Sequence, residues 1–430
     1  MHLLILTHVF YPDFSGAATM QYEMAKYMAS AGHKVTVVVS YSQHHMSVSD
    51  KPLPAEEILD GIRVLRVRSL VNLDSDRFFQ RALGSFFKDI AVVFKGLQCE
   101  RADVVFVMSP PITLPIVASL FKLLRKSVLV LNVQDIFPEL VVAMGILNRG
   151  SLAIRFGEAV EKLAYACADY IGVHSPKNRL HVISCGVPEE KVNVLPLWVD
   201  TDLVQPHPRR NPFSEKYGLN DKFVVLYAGT IGFAMGAQTI PQTASLLAAE
   251  KNIQFVVIGD GSKLELMNEE ITRLGVNNII RLPLQPREDL PDVLASADVL
   301  LVTLRKEITD NPNGYFRAVV PHKLLTNMAS ARPILIAAEE TSDASEIVRL
   351  AQCGKVTLPE DSASLAKTIM EMYENRELLT SWGENGRAFV SQHFASKTQV
   401  ERLEKLFSSL CSDKSYQMNN PWNEDDRKTS

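Results

Sequence analysis

Cysteine is scarce in this sequence, and the few cysteines lack the spacings that mark a shared structural role. The 430 residues include five of them, scattered along the chain: Cys99, Cys167, Cys185, Cys353 and Cys411. They are odd in number and form no CxxC pair, which argues against a disulfide scaffold and against a structural zinc site. We therefore expect a reducing compartment, the cytoplasm.

Long hydrophobic runs are also missing. The closest approach, from Ile112 to Phe121, ends at Lys122 and falls short of the roughly 18 residues that a membrane-spanning helix needs. The opening residues MHLLILTH have neither a basic start nor a small-residue cleavage site. This favours a first buried strand over a signal peptide.

An excess of one charge and the common catalytic motifs are absent too. Lysine and arginine number 45 against 49 aspartates and glutamates, which excludes a nucleic-acid footprint over the whole chain. Hydrophobic residues make up 47%, which excludes chain-wide disorder. The sequence has no GxSxG motif, no histidine at metal-ligand spacing and no DxD-like acidic pair at a clear strand end. We predict no nucleic-acid partner, no metal and no organic cofactor.

What the sequence does contain is a regular alternation of short apolar runs and helical patterns. Runs such as Leu3–Thr7 and Val128–Val133 are mostly apolar without alternation, as in parallel strands that helices cover on both faces. Residues 205–212 carry three prolines and no periodicity, and the alternation restarts at Phe223. We predict an α/β fold with two doubly wound, Rossmann-like parallel-sheet domains facing a central cleft. The expected division is 1–205, a linker at 206–220, 221–385, a helix at 386–411 and a disordered tail at 412–430.

In the second half, glycines follow predicted strands. Gly229, Thr230 and Gly232 lie directly after one strand, and closely spaced glycines at such a position suit a backbone cradle for a diphosphate. Gly259 and Gly261 follow the next strand, although a GxG pair alone more often marks an ordinary turn. The spacing matches neither GxGxxG nor a Walker loop, so it specifies no class of nucleotide.

Four basic residues of the same half stand at strand or helix ends: Arg305, Lys306, His322 and Lys323. Together they could neutralise a diphosphate leaving group. Each one alone is better explained as solvated surface charge. Only their convergence on one edge of the sheet favours a binding site.

Two loops of the first half also follow predicted strands. Gly16 lies at the entry to a helix, where it either lets a phosphate or sugar approach the backbone or simply permits a tight turn. Asp135 follows the strand Val128–Val133, where a carboxylate could accept hydrogen bonds from a sugar or cap the next helix. Its position alone favours the helix cap.

The segment from Arg77 to Leu97 is amphipathic. Aromatic residues recur at helical spacing, with basic residues every seven positions beside them, which suits the surface of an anionic membrane. The predicted membrane contacts are Arg81, Phe86, Phe87, Lys88, Phe94 and Lys95. A helix packed in the core with a solvated basic edge is the more frequent explanation of such a pattern.

Four segments together resemble the retaining glycosyltransferases of family 4, which have the GT-B fold. FYPDFSG at 10–16 resembles the acceptor loop YPP…GG, and YAGTIG at 227–232 resembles GNIG. VPHKLLTNMA at 320–329, followed by RPILI, resembles PSKLxEYMAxGxPVI. WGENGRAFV at 382–390 resembles the closing GENGRxFV helix, which usually crosses back to the first domain. The resemblance extends over roughly residues 1–410.

Two further motifs, SPP at 109–111 and VQDIFPE at 133–139, resemble those of transferases that build bacterial O-antigen, capsule or colanic acid. The resemblance implies a nucleotide-diphosphate sugar donor, most often a UDP-sugar, and an undecaprenyl-diphosphate-linked saccharide acceptor. It also implies a cytoplasmic protein, peripheral on the inner face of the cell membrane. The implied acceptor contacts are Gly16, Ala17 and Gln134, and Asp135 would orient the sugars.

The sequence departs from this family at the donor helix. Many members carry two glutamates separated by seven residues, and these positions are Ala318 and Thr326 here. The second glutamate normally holds the donor ribose, a contact that Thr326 would make more weakly. The basic residues of the family's glycine loop are also missing, so the diphosphate would depend on Lys323, Arg305, Lys306 and backbone amides.

We expect metal-independent transfer of an N-acetylhexosamine or deoxy-aminohexose with retention of configuration. The main alternative is a non-catalytic GT-B subunit that binds nucleotide or a partner transferase. A UDP-N-acetylglucosamine 2-epimerase shares the architecture and is less well supported. A dinucleotide oxidoreductase is supported only by the GxG pair.

Overall fold

The chain folds into two compact units. This computed structural model describes residues 1–13, 15–40, 53–68, 78–307, 311, 313–412 and 420–423. One unit comprises Met1–Leu197 and Ser396–Asn420, and the other comprises Trp198–Ala395 and the segment from Pro421. Each unit has its own sheet and its own hydrophobic core, which confirms the predicted α/β fold with two parallel-sheet domains.

The strands of the first unit are β1 (His2–Thr7), β2 (Lys34–Ser40), β3 (Glu56–Leu59), β4 (Ile62–Val67), β5 (Val104–Ser109), β6 (Val128–Val133), β7 (Tyr170–Val173) and β8 (Val192–Val194). Over the described residues they form one sheet in the order β3-β4-β2-β1-β5-β6-β7-β8, parallel except between β3 and β4. Every residue of β1 and β5 is buried, which explains their uninterrupted apolar runs. The sequence patterns do not predict β3 and β8, because β3 begins with two glutamates and β8 has only three residues, so neither forms an apolar run.

The helices of this unit that precede Leu197 are α1 (Gly16–Ser30), α2 (Phe78–Leu97), α3 (Leu114–Ala118), α4 (Leu120–Arg125), α5 (Glu139–Ala143), α6 (Leu152–Cys167) and α7 (Pro176–Ser184). Serine fixes where three of them begin. The side chains of Ser15, Ser151 and Ser175 accept hydrogen bonds from first-turn amides of α1, α6 and α7.

The strands of the second unit are β9 (Phe223–Ala228), β10 (Ile253–Ile258), β11 (Ile279–Leu282), β12 (Val299–Thr303), β13 (Ile334–Ala337) and β14 (Gly354–Thr357). Over the described residues they form a parallel sheet in the order β11-β10-β9-β12-β13-β14. Its helices are α8 (Pro212–Lys216), α9 (Thr239–Leu246), α10 (Leu264–Leu274), α11 (Leu290–Ala295), α12 (Tyr315–Ala318), α13 (His322–Ala329), α14 (Asp343–Leu350), α15 (Ser362–Glu374) and α16 (Glu377–His393).

The segment expected to link the domains, 206–220, is part of the second unit. The Arg209 guanidinium lies 2.9 Å from Asp298, next to β12, and also donates to the carbonyl of Leu219. Asn211 caps α8 within this segment through the Ser214 amide. The prolines remove periodicity, but the polar side chains between them bond to an element distant in sequence. The boundary therefore falls after Leu197.

The last helix, α17 (Ser396–Cys411), returns to the first unit. Glu404 lies 2.8 Å from His33, at the end of α1. Part of the expected disordered tail is packed, because the Trp422 ring lies edge-on to Phe394 at 5.9 Å and its Nε1 donates to the carbonyl of Asp343. Residues 413–419 and 424–430 lie outside the described residues. No helix in the described part of the chain has the length and apolar composition to cross a membrane.

Candidate functional site

The predicted donor loops meet at one edge of the second unit's sheet. The strands β9, β10 and β12 are parallel neighbours, with β9 in the middle. The carboxyl ends of parallel neighbours emerge at the same edge. Residues 229–232, 259–261 and 305–306, which follow these strands, are therefore brought together as predicted.

Gly259 and Gly261 are required by close packing between two of these loops. The Ile231 amide donates to the carbonyl of Asp260 at 2.8 Å, so the two backbones lie side by side. Gly259 has φ +143°, and a Cβ there would overlap the carbonyl of Gly229. Gly261 has φ +149°, and a Cβ there would stand 2.5 Å from the Ile231 oxygen. The GxG pair is thus a backbone-to-backbone contact that fixes the shape of the glycine loop.

Lys323, at the start of α13, lies against this loop. Its Nζ donates to the Tyr227 hydroxyl and, at 3.4 Å, to the Thr230 carbonyl, and it stands 4.0 Å from the centre of the Tyr227 ring. A Cβ on Gly229 would lie 3.1 Å from this Nζ, so the absent side chain leaves room for the ammonium. Burial lowers the pKa of Lys323 to about 7. Within the described ranges, no carboxylate pairs with it.

The two basic residues after β12 differ in their surroundings. Arg305 stacks 5.5 Å from the centre of the Phe233 ring, and its Nε lies 3.5 Å from Glu360. Its amide donates to the carbonyl of Ala234 at 3.0 Å, which ties it to the glycine loop. Lys306 is exposed. Arg305 is therefore held in place with its charge partly balanced, while Lys306 extends into solvent.

His322 does not supply the positive charge that we expected. Its Nε2 donates to the carbonyl of Trp198 at 2.9 Å, and its Nδ1 lies 3.3 Å from the Thr326 hydroxyl. Burial lowers the pKa of His322, so the imidazole is neutral near pH 7. The Thr326 hydroxyl also lies 3.2 Å from the His322 carbonyl, so both side chains already have partners within the unit.

A buried carboxylate that the sequence patterns do not single out, Glu307, lies next to the two basic residues. It is 7% exposed, and its Oε2 accepts a hydrogen bond from the Phe316 amide at the start of α12. A Cβ on Gly314 would overlap this carboxylate, so the glycine makes the contact possible. The Glu307 amide donates to Glu339 at 3.1 Å. An acid in the loop that follows β12 was the signal available in the sequence.

In the first unit, the predicted acceptor residues follow β1 and β6, which are separated in the sheet only by β5. Gly16 and Ala17 form the first turn of α1, which the Ser15 hydroxyl caps. The Gln134 amide donates to the carbonyl of Ser109, at the end of β5, at 2.9 Å. The structure therefore places these residues at the same edge of the sheet. Phe14, within the loop that resembles the family's acceptor motif, lies outside the described residues.

Asp135 does not cap the helix that follows it. That helix, α5, begins at Glu139 and has Pro138 at its cap position. Asp135 is half-buried in the bend after β6. The helix-cap explanation is therefore wrong, and the role in orienting sugars stays a proposal.

A buried acid–histidine pair lies at the same end of the first sheet. The Nε2 of His8, directly after β1, is 2.8 Å from Asp89, and the Thr113 hydroxyl donates to the other oxygen of that carboxylate. Burial of Asp89 on α2 raises its pKa, and the contacts with His8 and Thr113 oppose that rise. Spacing could not reveal a pair so far apart in sequence. The available signal was an acid among the apolar residues of α2, which is costly without a partner.

α2 presents aromatic side chains to solvent. Phe94 is 56% exposed and Phe86 is 37% exposed, whereas Val92 and Val93 are fully buried. The other predicted membrane contacts are exposed or half-buried: Arg81, Phe87, Lys88 and Lys95. Residue 77 lies outside the described residues. The core-packed explanation therefore fits one face of the helix and leaves an aromatic face uncovered within the described part of the unit.

A cavity of about 540 Å³ lies elsewhere in the second unit. Its lining includes Asp298 and Pro333, which precede β12 and β13, and residues of α16 such as Arg387. None of the predicted donor residues lines this cavity.

Comparison with known proteins gives a family match for each unit. Residues 15–198 match the model described as "Glycosyl transferase 4-like domain", and residues 209–389 match "Glycosyl transferases group 1". The two matches together span most of the chain and are separated close to Leu197, where the first unit gives way to the second.

Relatives extend over both units. WbjE of Pseudomonas aeruginosa, provisionally described as a glycosyltransferase, is 28% identical over 356 residues, 79% of this chain and 83% of WbjE. WcaI of Escherichia coli K12, provisionally described as a glycosyl transferase of colanic acid biosynthesis, is 22% identical over 81% of this chain and 86% of WcaI. The crystal structure of HepE from Anabaena, in complex with UDP, has a TM-score of 0.72 at 17% identity, covering 95% of this chain and 100% of HepE. That last likeness shows a shared fold. With a family match for each unit and this architecture, the chain belongs to the family 4 glycosyltransferases of GT-B fold.

Proposed function

We propose that this enzyme is a retaining, metal-independent glycosyltransferase of bacterial surface-polysaccharide biosynthesis. The second unit binds a UDP-sugar, an N-acetylhexosamine or deoxy-aminohexose donor, and the first binds an undecaprenyl-diphosphate-linked saccharide. The description of WcaI supports the pathway. The HepE structures with UDP, and with UDP and glucose, support the donor class.

The observation that carries the proposal is the ammonium of Lys323. It lies against a loop whose shape is fixed by Gly259 and Gly261, and no carboxylate in the described part of the chain balances it. A cation in that setting is stabilised by an anion that arrives with a ligand. A diphosphate supplies such charge, and the amides of a glycine loop add further donors.

The proposed chemistry uses this charge at the departing group. Lys323, with Arg305, Lys306 and the Gly232 amide, stabilises the negative charge that develops as the bond to the diphosphate breaks. The acceptor hydroxyl attacks the anomeric carbon from the face that the diphosphate leaves, and the departing phosphate takes its proton. Asp135 orients the sugars, Gly16, Ala17 and Gln134 contact the acceptor, and Thr326 contacts the donor ribose.

The donor is tested by thermal denaturation of the purified chain with UDP, GDP, ADP or dTDP. A ligand that binds only the folded chain adds about 2.7 kcal/mol of stability at a hundredfold excess over its Kd. We expect a rise in Tm with UDP alone. A rise with another nucleotide and not with UDP would overturn the donor assignment.

The acceptor and the membrane are proposed from three neighbouring helices of the first unit. α4 connects the ends of α2 and α6, because Arg125 donates to the carbonyl of Leu97 and Lys122 to that of Cys167. All three helices carry exposed apolar side chains: Phe86 and Phe94 on α2, Leu123 and Leu124 on α4, Leu152 and Phe156 on α6. Apolar side chains flanked by lysine and arginine suit an anionic lipid surface, where a lipid-linked acceptor would be found.

Vesicle flotation tests this surface. We expect the chain to bind vesicles that contain phosphatidylglycerol and not those of phosphatidylcholine alone. Replacing Phe86 and Phe94 together with serine should weaken binding by at least about tenfold, given the apolar area lost. The control is Ile58→Ser, which removes a more exposed apolar side chain from β3. Equal binding by both variants would show that α2 does not contact the lipid.

A second candidate function is supported by the residues Ala318 and Thr326, which replace the family's paired glutamates. A non-catalytic GT-B subunit would still bind UDP and would show no transfer with any UDP-N-acetylhexosamine and lipid-linked acceptor. Transfer by the wild-type chain alone would exclude this candidate.

A further inference from the structure

Three groups that can ligate a metal meet on two helices of the first unit. Glu161 lies on the buried face of α6, His181 lies on α7, and Cys185 directly follows the end of α7. A spacing of four residues puts His181 and Cys185 on one face of their helix. The ligand atoms of all three lie within 4.8 Å of one another. We call these residues the Glu–His–Cys cluster.

The distances within the cluster are close to those of a tetrahedral site. His181 Nε2 is 3.0 Å from Glu161 Oε1, and Cys185 Sγ is 3.7 Å from both His181 Nε2 and Glu161 Oε2. Zinc bonds of about 2.0 to 2.3 Å at tetrahedral angles place neighbouring ligand atoms about 3.3 to 3.6 Å apart. Shifts of a few tenths of an ångström would bring the three donors into that geometry.

The charges and donor types also fit a soft divalent ion. Glu161 is 2% exposed, and a buried carboxylate is costly unless it is paired. A divalent ion held by a carboxylate, a thiolate and a neutral imidazole carries no net charge. One sulfur, one nitrogen and one oxygen donor favour zinc, whereas magnesium and calcium take oxygen ligands.

A hydrogen bond already orients the carboxylate. The Tyr165 hydroxyl, one turn further along α6, donates to Glu161 Oε1 at 2.8 Å, and Tyr165 is buried. Metal ligands are commonly held in this way by a neighbouring donor. Cys185 is half-buried, so the cluster can be reached from solvent.

We propose that the Glu–His–Cys cluster binds one zinc ion, with water as the fourth ligand, and that the ion fastens α6 to α7. The sequence argued against zinc because it has no CxxC pair. In this cluster the ligands come from two helices and include a single cysteine, so no such spacing is expected. α6 and α7 lead into β7 and β8, so their ends lie at the sheet edge opposite the predicted acceptor loops. The ion is therefore structural, and the proposal does not depend on the proposed function.

Without an ion, the same residues form a buried ion pair. Burial alone would lower the pKa of His181, but its hydrogen bonds to Cys185 and Glu161 raise it to about 10. In that ion pair, the Cys185 sulfur is only a hydrogen-bond partner of Glu161 and His181 and binds no metal. Metal binding through sulfur therefore separates the two explanations.

The test loads the full chain, first treated with a chelator, with Co²⁺ alone and then with Zn²⁺. Cobalt bound to a thiolate in a tetrahedral site absorbs strongly in the visible and near-ultraviolet range. We expect one such Co²⁺ per chain, displaced by one Zn²⁺. Cys185→Ser should remove the thiolate absorption and weaken zinc binding by at least about tenfold. The matched control is Cys167→Ser, at the end of α6, which should change neither.

A second measurement needs no variant. Zinc should protect Cys185 from alkylation by iodoacetamide, measured by mass spectrometry, while the exposed Cys411 reacts equally with and without zinc. Equal alkylation of Cys185 in both conditions, or no thiolate absorption in the wild-type chain, would overturn the proposal.

Discussion

Three basic side chains of the two units differ in whether a carboxylate lies beside them. In the first, His8 lies against Asp89 and His181 against Glu161, so each basic group meets a carboxylate of its own unit. In the second, Lys323 contacts a tyrosine and backbone carbonyls, and no described carboxylate pairs with it. A paired charge stabilises the fold that contains it, whereas an unpaired one is stabilised by a ligand of opposite charge. The comparison separates positions that hold the structure from the one that we propose binds the donor.

The largest expected effect is the loss of stability when a paired histidine loses its carboxylate. Asp89→Ala leaves His8 and Thr113 without their partner, and breaking a buried pair costs about 3 to 5 kcal/mol of the free energy of unfolding. Chemical denaturation of the full chain measures it. Glu100→Ala is the control, because its ion pair with Lys34 is exposed and its loss should lower stability far less than the loss of a buried pair. Equal losses in the two variants would contradict the assignment.

On the unpaired side, Lys323→Ala should slow sugar transfer by on the order of a hundredfold, because stabilisation of the departing diphosphate is lost. It should not lower the Tm of the ligand-free chain, since no carboxylate loses a partner. Lys306→Ala should slow transfer by less than Lys323→Ala does, because the exposed charge of Lys306 is screened by solvent. An unchanged rate in the Lys323 variant would remove this residue from the site.

The pH dependence of UDP binding sharpens the same contrast. Lys323 binds a diphosphate as an ammonium, and its pKa of about 7 in the free chain rises when the anion binds. Affinity is therefore full below pH 7 and falls as the pH rises above it, by up to about tenfold per unit until the pKa of the complex is reached. Titration calorimetry between about pH 7 and 9 measures this slope. Lys323→Ala should abolish it, and a slope of the opposite sign would exclude an ammonium contact.

The smallest effect is expected at Arg305, because a carboxylate already balances part of its charge. Its contact with Glu360 is partly exposed, and such pairs contribute about 0.2 to 1 kcal/mol. Arg305→Gln should therefore weaken UDP binding by about fivefold at most. Glu360→Gln should strengthen binding slightly by releasing the guanidinium. Additive effects in the double variant would show that the two residues act independently.

Local patterns were enough to predict most of the fold. The predicted strand Val128–Val133 coincides with β6, and α13 begins directly after Pro321, where His322 and Lys323 were expected at a helix end. The boundary after Leu197 was not predictable, because the residues that attach segment 206–220 to the second unit bond to Asp298, far along the chain.

The candidate site was predictable where its residues follow from local sequence patterns, as the strands were. The glycine loop was singled out because a position after a strand is a local property, and Lys323 because Pro321 marks the start of a helix. The neutrality of His322 depends on burial and on the carbonyl of Trp198, and the partner of His8 lies on another element. The sequence shows which groups are present. Which groups from distant elements pair with one another is known only from the tertiary structure.

The packing of α17 in the first unit determines when that unit can complete its folding. Val400, Leu403 and Phe407 are buried in the first unit, and the Phe407 ring lies edge-on to Phe106 of β5 at 6.1 Å. Translation proceeds from the N-terminus, so residues 1–197 emerge from the ribosome long before the helix that completes their core. Residues 198–395, which contain all the strands of the second unit, also leave the ribosome before α17. The domain that begins the chain therefore cannot complete its core until nearly the whole chain has been made.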